Sequence, residues 1–167
     1  METEPKRVIL SNTIPPDCVA AAINPQRVNL QLKAEDRDGV LRELVTLVVP
    51  PTAKRLSQTL FKALKAREEL CSTCVDNEIA IPHSRNAMVG LVDRPVLAYG
   101  RHPKGVEFGA LDGKPVRHFF LLCAPNVREH LQVLARLSRL LRRPSFREQL
   151  EQATTPEAVV ACFQNQP

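Results

Sequence analysis

The stretch Asn77-Glu78-Ile79-Ala80-Ile81-Pro82-His83-Ser84-Arg85 places an imidazole, a hydroxyl and a cation directly after a short apolar run that ends at a proline. Imidazole is the side chain best suited to donate, accept or carry a group near neutral pH. A histidine at the end of an apolar segment is held by the fold yet open to solvent chemistry. Two further side chains break their own local pattern. On the helix expected over Thr52 to Leu70, with Leu56 as the origin, Leu60 falls near about 40°, Ala63 near about 340° and Arg67 near about 20°. Arg67 therefore lies in the apolar face, while Lys54, Lys62 and Lys65 lie on the far side. Either it meets an anion there, or it snorkels outward at the last turn, where a cation also suits the helix dipole. His130 shares a helix side with Leu134, Leu137 and Leu141, in the first turn after a buried strand. That edge of an open α/β sheet is a common ligand site, and helix N-termini attract anions. The alternative for His130 is a core histidine bonded to a carbonyl. His102 and His118 read as structural.

Cys71-Ser72-Thr73-Cys74 is a Cys-x-x-Cys, a redox pair or half of a zinc site with His83 as a third ligand. It lacks a second pair at zinc-ribbon spacing and does not open a helix after a first strand, as a thioredoxin-like pair would. Free cysteines also serve as small buried apolar groups.

The elements that must position these groups follow from periodicity and punctuation. Residues 1–27 carry Pro5, Pro15, Pro16 and Pro25 and read as an N-terminal extension with one short strand at Val8-Ile9-Leu10; residues 28–167 read as the domain. Val28 to Leu32 alternates as a strand, and Asp36 to Val48 has helical spacing that Pro50-Pro51 ends. The Thr52–Leu70 helix follows, then a loop over Cys71 to Glu78, strands at Ile79–Ile81 and Pro95–Tyr99, and a turn signal at Leu111–Lys114 between Val106–Phe108 and the next run. Val116 to Ala124 is apolar enough for a strand buried on both faces. Asn126 with Glu129 forms a capping-box-like start for a helix to about Arg142. Ser145 with Glu148 is a similar start, and Thr155-Pro156-Glu157 opens a last helix. Strands alternating with helices give an α/β class, with a mixed sheet of about five strands sandwiched between helices on both faces.

Composition limits what such a fold could do. The chain has 167 residues, 44% hydrophobic and 25% charged, in the range of one ordinary globular domain. The charged first residues lack a signal-peptide core and no apolar run has membrane-spanning length, so the expected location is the cytoplasm with no membrane insertion. Five cysteines at irregular spacing do not make a secreted disulfide framework. The net charge of +5 is concentrated at Arg128, Arg136, Arg139, Arg142, Arg143 and Arg147. With one Tyr and no Trp there is no stacking platform, so this reads as a solvated helix face and not as a nucleic-acid surface.

In sequence order, Arg67-Glu68, Ser72-Thr73, Ile79-Ala80-Ile81-Pro82-His83, Gly105 to Gly113, Pro115-Val116, Ala124-Pro125, His130-Leu131 and Leu134 to Leu141 resemble the enzyme IIA domain of the fructose–mannitol type. That domain belongs to the bacterial phosphoenolpyruvate-dependent sugar phosphotransferase system, and nitrogen-regulatory IIA proteins share its family. The resemblance covers about Val28 to Phe163. It implies a mixed sheet between helices, and a phosphotransferase component working through a phosphohistidine. It implies that His83 accepts a phosphoryl group from the histidine phosphocarrier protein and passes it to a IIB domain or uses it as a regulatory signal toward a target protein, without metal or cofactor. It gives His130 and Arg67 the oxygens of that group to bind, matches Thr73 to the family's phosphate-loop threonine, and leaves Ser84 as a further phosphate donor. The loop Cys74 to Glu78 departs from the family: it has no glycine where the family is glycine-rich, and Asp76 and Glu78 add negative charge. A regulatory or binding protein with the same fold and weakened transfer is the alternative the departure keeps open.

Overall fold

A computed structural model describes residues 18–84 and 91–166. The expected strand at Val8–Leu10 and the Arg85 of the histidine motif lie outside the described residues. The elements are β1 (Val28–Asn29), α1 (Arg37–Thr46), α2 (Lys54–Leu70), β2 (Cys74–Val75), β3 (Ile79–Ala80), β4 (Val96–Val106), β5 (Val116–Cys123), α3 (Val127–Leu141), α4 (Pro144–Gln152) and α5 (Pro156–Gln164). The sheet has five strands in the order β1-β4-β5-β3-β2. β1 runs parallel to β4 and β3 parallel to β5, while β4–β5 and β2–β3 are antiparallel, so the sheet is mixed.

Alternate side chains of the two long strands feed two separate cores. Leu97, Tyr99, Phe120 and Leu122 pack with Leu137 and Leu140 of α3, Phe146 of α4 and Phe163 of α5. Val96, Ala98, Phe119 and Leu121 pack with Leu41 and Leu44 of α1 and Leu60 and Leu64 of α2. Helices therefore cover both faces, as the continuous apolar run of β5 requires. Gly100 of β4 admits the closeness of one layer: an added Cβ would stand 2.7 Å from the Leu32 side chain and 2.9 Å from that of Leu44.

Helix starts follow their caps. The Asp36 side chain accepts the Gly39 N–H at 2.7 Å, and the Asn126 side chain accepts that of Glu129 at 2.9 Å while donating to its carboxylate at 2.7 Å. The last resembles a capping box, except that the Glu129 carboxylate accepts from the Asn126 side-chain amide and not from its backbone N–H. Thr155 caps α5 by accepting the Ala158 N–H at 3.1 Å.

The strands differ more from expectation. β1 pairs over only two residues; the Asn29 side chain accepts the Gln31 N–H at 2.9 Å, a local turn that interrupts the ladder, and the chain meets β4 again where the Leu32 N–H donates to the Arg101 carbonyl at 3.0 Å. β4 runs on past Tyr99 to Val106, through Pro103 and an irregular register between Arg101 and Val106. The short β1 pairs only at Tyr99 and Gly100, so Pro103 interrupts no ladder bond to it. The Cys71–Glu78 segment is not all loop: β2 pairs antiparallel with β3, Cys74 opposite Ala80. At the N-terminal side, Val19, Ala22 and Ile23 are buried in the core that includes Val159 and Phe163. The packed domain therefore starts before residue 28. Residues 18–27 form 3-10 turns at Ala20–Ala22 and Pro25–Arg27, which have no long period for a sequence pattern to show.

Candidate functional site

β3 and its continuation run parallel to β5, from His118 to Leu122. Pro82 accepts the Leu122 N–H at 3.1 Å, and His83 forms a parallel bridge with Leu122. His83 is thus held by backbone pairing beyond the end of β3. Its Nδ1 lies 2.7 Å from the Ile81 carbonyl oxygen. A carbonyl only accepts, so Nδ1 carries the proton and the neutral ring keeps a lone pair on Nε2. Burial pushes the His83 pKa below the usual histidine value; the Ile81 hydrogen bond opposes this, and the positive charge of Arg67 adds to it. The ring is therefore neutral and nucleophilic near neutral pH.

α3 brings His130 to this ring. The imidazole centroids are 5.2 Å apart at an interplanar angle of 52°. The cap at Asn126 fixes the first turn, and the His130 N–H donates to the Asn126 carbonyl at 3.1 Å. Burial, then the neighbouring His83, lowers the His130 pKa as well. Two neutral imidazoles stand side by side, one of them at a helix N-terminus where anions are favoured.

α2 supplies the cation. Its buried ridge is Leu60, Leu64 and Glu68, while Leu56, expected in that face, is 45% exposed. The face is rotated from the expected one, and Arg67 stands about 60° from Leu64, on the rim and not in the middle. It is half-buried, close enough to His83 to lower its pKa, and its Nη1 donates to the Cys71 carbonyl at 2.5 Å.

Thr73 and Ser84 are 6% and 7% exposed. The Thr73 N–H donates to Glu68 Oε2 at 3.0 Å, and its hydroxyl donates to Glu68 Oε1. Both donors of Thr73 are thus committed to a carboxylate, so in this arrangement its hydroxyl accepts but does not offer a proton to phosphate. Ser84 directly follows His83 and shares its buried setting. Glu68 is the residue that pattern reading left out. The signal was present: it continues the four-residue spacing Leu60–Leu64–Glu68 and follows Arg67 directly.

The cysteine pair has no common ligand geometry. Cys71 and Cys74 are both free thiols; Cys71 donates to the Ser72 carbonyl at 3.7 Å and Cys74 to that of Phe108 at 3.3 Å. Among the described residues no group of three or more His, Cys, Asp or Glu side chains could hold a metal ion, so the zinc reading with His83 as third ligand is set aside. Among the same residues no helix is long and apolar enough to cross a membrane.

The glycine-free loop solves its turn at a cost. Asn77 has φ 67° and Glu78 φ 62°, both in the left-handed region that glycine occupies freely. The Glu78 carbonyl then accepts the N–H groups of both Arg117 and His118, at 3.0 and 3.1 Å.

Residues 21–166 match the family described as "Phosphoenolpyruvate-dependent sugar phosphotransferase system, EIIA 2". The chain belongs to this family. Among EIIA relatives, it is 34% identical to a nitrogen regulatory protein of Pseudomonas aeruginosa, over 82% of this chain and 88% of that protein. It is 31% identical to the fructose-specific EIIABC component of Bacillus subtilis over 85% of this chain, but spans only 22% of that relative's length. A solved EIIA-type structure, the nitrogen regulatory protein IIA-Ntr of Neisseria meningitidis, superposes with TM-score 0.74 at 30% identity, covering 87% of this chain and 98% of that one. The EIIA fold, an α/β arrangement around a mixed five-stranded sheet, thus agrees with both the sequence expectation and the solved relative.

Proposed function

We propose that this EIIA domain carries a phosphoryl group on His83. The observation that carries the reading is the 2.7 Å contact of Nδ1 with the Ile81 carbonyl, which leaves Nε2 as the nucleophile of a neutral ring. The donor is the phosphohistidine of the histidine phosphocarrier protein. His83 Nε2 attacks phosphorus in line, the new N–P bond forms as the donor's N–P bond breaks, and the donor imidazole leaves with the electron pair. Arg67 and His130 bind the phosphoryl oxygens, where a preorganised donor aimed at developing charge is worth about 3 kcal/mol. Little else is required of the protein than positioning. The group then passes to a IIB domain; the relative named as an EIIABC component supports that acceptor. Such relay chemistry belongs in the cytoplasm.

A second reading is that the phosphorylation state itself is the signal. The likeness to a nitrogen regulatory protein over most of its length supports it. Phosphate adds up to about two negative charges, enough to switch an interface. The left-handed Asn77 and Glu78 weigh against a domain that has lost transfer, because they keep a glycine-like turn without glycine.

The test is incubation with phosphoenolpyruvate, enzyme I and the phosphocarrier, followed by mass spectrometry under conditions that preserve phosphohistidine. Label on His83 is expected, and a chain left unmodified where an authentic EIIA is labelled overturns the reading. Capture of partners by His83→Ala and His83→Glu variants then separates carriage from switching.

A further inference from the structure

We infer that Glu68 is a positioning residue that sets Arg67 and His83 against each other by clamping Thr73, an inference that rests on the phosphoryl-acceptor reading of His83. Among the described residues Glu68 is the one buried carboxylate, 5% exposed. A leucine there would simply extend the Leu60–Leu64 ridge. Burying a carboxylate instead is costly unless its oxygens are satisfied, and desolvation indeed raises its pKa above the ordinary value against the opposing Thr73 hydrogen bonds.

What the carboxylate holds explains its presence. Both of its oxygens are engaged by Thr73, through the backbone N–H and the hydroxyl. From Thr73 one chain of hydrogen bonds and one short stretch of backbone lead to the two reacting-site groups. The Thr73 carbonyl accepts the Ile81 N–H at 3.1 Å, and the Ile81 carbonyl accepts His83 Nδ1–H at 2.7 Å. Two residues before Thr73, the Cys71 carbonyl accepts the Arg67 guanidinium. The loop between is pinned on its other side, where the Ser72 hydroxyl donates to the Phe108 carbonyl at 2.8 Å and accepts the Cys74 N–H at 3.2 Å. Thr73 is therefore the shared anchor of the acceptor that orients the cation and the acceptor that orients the nucleophile. Glu68 fixes that anchor to the helix that carries Arg67. Misplacement by about 1 Å of a positioned group can cost on the order of a hundredfold in rate, so the clamp bears on transfer without touching phosphate.

Two variants separate geometry from mere packing. Glu68→Leu continues the apolar ridge and folds, but leaves Thr73 without acceptors. Glu68→Gln keeps a carbonyl for the Thr73 N–H and an amide that donates to its hydroxyl oxygen. With the wild-type phosphocarrier as donor, Glu68→Leu is expected to lower the saturating rate of His83 phosphorylation by about tenfold or more, with the donor KM changed by less than about twofold. Glu68→Gln is expected within about threefold of wild type. In an Arg67→Ala background, Glu68→Leu should cost much less than in the wild-type background, since part of its effect runs through Arg67. Independently of transfer, the His83 pKa read by NMR should rise in Glu68→Leu as the guanidinium moves off, and should not rise when Arg67 is already alanine; His130 is the other titrating group facing His83. A wild-type rate in Glu68→Leu, a Glu68→Gln as slow as Glu68→Leu, or an equal loss in both backgrounds overturns the inference. A wild-type chain that is never labelled on His83 overturns the phosphoryl-acceptor reading instead, and the NMR arm still decides whether Glu68 positions Arg67.

Discussion

His83 Nδ1 and the carbonyl of Ile81, two residues earlier in the chain, stand 2.7 Å apart. That one contact settles which nitrogen of the ring is free. It predicts a neutral Nδ1–H tautomer in solution, visible as one protonated and one unprotonated ring nitrogen in long-range 15N spectra at pH 7.5. The ring should titrate below its ordinary value of 6.5, because burial disfavours the cation and Arg67 adds to the effect. Phosphorylation by the donor should accordingly hold its rate as pH is lowered to 6.5 and fall only below it. An Nε2–H tautomer, or a rate already halved at pH 7, would sink this assignment.

Stability should share the direction. Burial depresses the pKa of His83, His118 and His130 alike, from 6.5. The unfolded chain then takes up protons before the folded one, so this stability is intact above about pH 6.5 and is lost as pH falls through the folded values. Glu68 works oppositely: its pKa is raised from 4.5, so stability is regained only as pH drops through its folded value toward 4.5. Three groups against one give a urea midpoint lower at pH 5.5 than at pH 7.5. Equal midpoints would contradict the burial of these imidazoles.

Arg67→Ala and His130→Ala should fold as the parent does and slow phosphorylation of His83, each by about a hundredfold, the typical loss of a preorganised anion donor. Circular dichroism checks the fold and quenched-flow labelling the rate. His130→Gln, which can still donate to an oxygen, should recover part of the loss.

Glu78 is held at φ 62°, where a side chain costs about 1–2 kcal/mol relative to glycine. Glu78→Gly should therefore stabilise the domain by about 1 kcal/mol, less the entropy glycine adds to the unfolded chain. Asn77→Gly should gain less, since asparagine tolerates the left-handed region. Urea unfolding reads both, and a lower midpoint for Glu78→Gly would mean that its side chain holds the turn.

Tyr99 and His118 form a buried pair away from the proposed chemistry. The tyrosine hydroxyl lies 2.6 Å from His118 Nδ1, and His118 Nε2 lies 2.9 Å from Glu151, which Arg117 also holds at 2.9 Å. The neutral histidine donates to Glu151 and accepts from Tyr99, tying β4 and β5 to α4. Tyr99→Phe leaves Nδ1 unsatisfied and should cost about 1–3 kcal/mol of stability, with the phosphorylation rate unchanged. A slowed reaction in a fully folded Tyr99→Phe would give the pair a role in transfer.

Much of this was legible in residue order, and the misses have local causes. Caps at Asp36, Asn126 and Thr155 and the apolar run of β5 act within a few residues, so helix starts and the buried strand could be read directly. β1 is shorter than its alternation predicts because an Asn29 side-chain bond interrupts the ladder before the Leu32 N–H rejoins β4 at Arg101. β4 was read too short because Pro103 and Gly105 look like a terminator, though the short β1 leaves Pro103 no ladder bond to break. The packed residues before Val28 carry no period at all.

For the candidate site, the sequence by itself determined the proposed participants: His83 behind an apolar run, His130 on an inward helix face, and a guanidinium near the end of α2. Periodicity registers a side chain that contradicts its own element, as His130 does on α3, while His83 is marked by the apolar run and proline before it. Only the tertiary structure decided how they are used. The rotation of α2 puts Arg67 on the rim and Glu68 inside, because packing of Leu60 and Leu64 against the sheet, not the average of the helix, chooses the buried side. The pairing of β2 with β3 then delivers Thr73 to Glu68 and Ile81 to His83. Such long-range hydrogen bonds have no period and no local spacing, and they convert three suggestive residues into one oriented site.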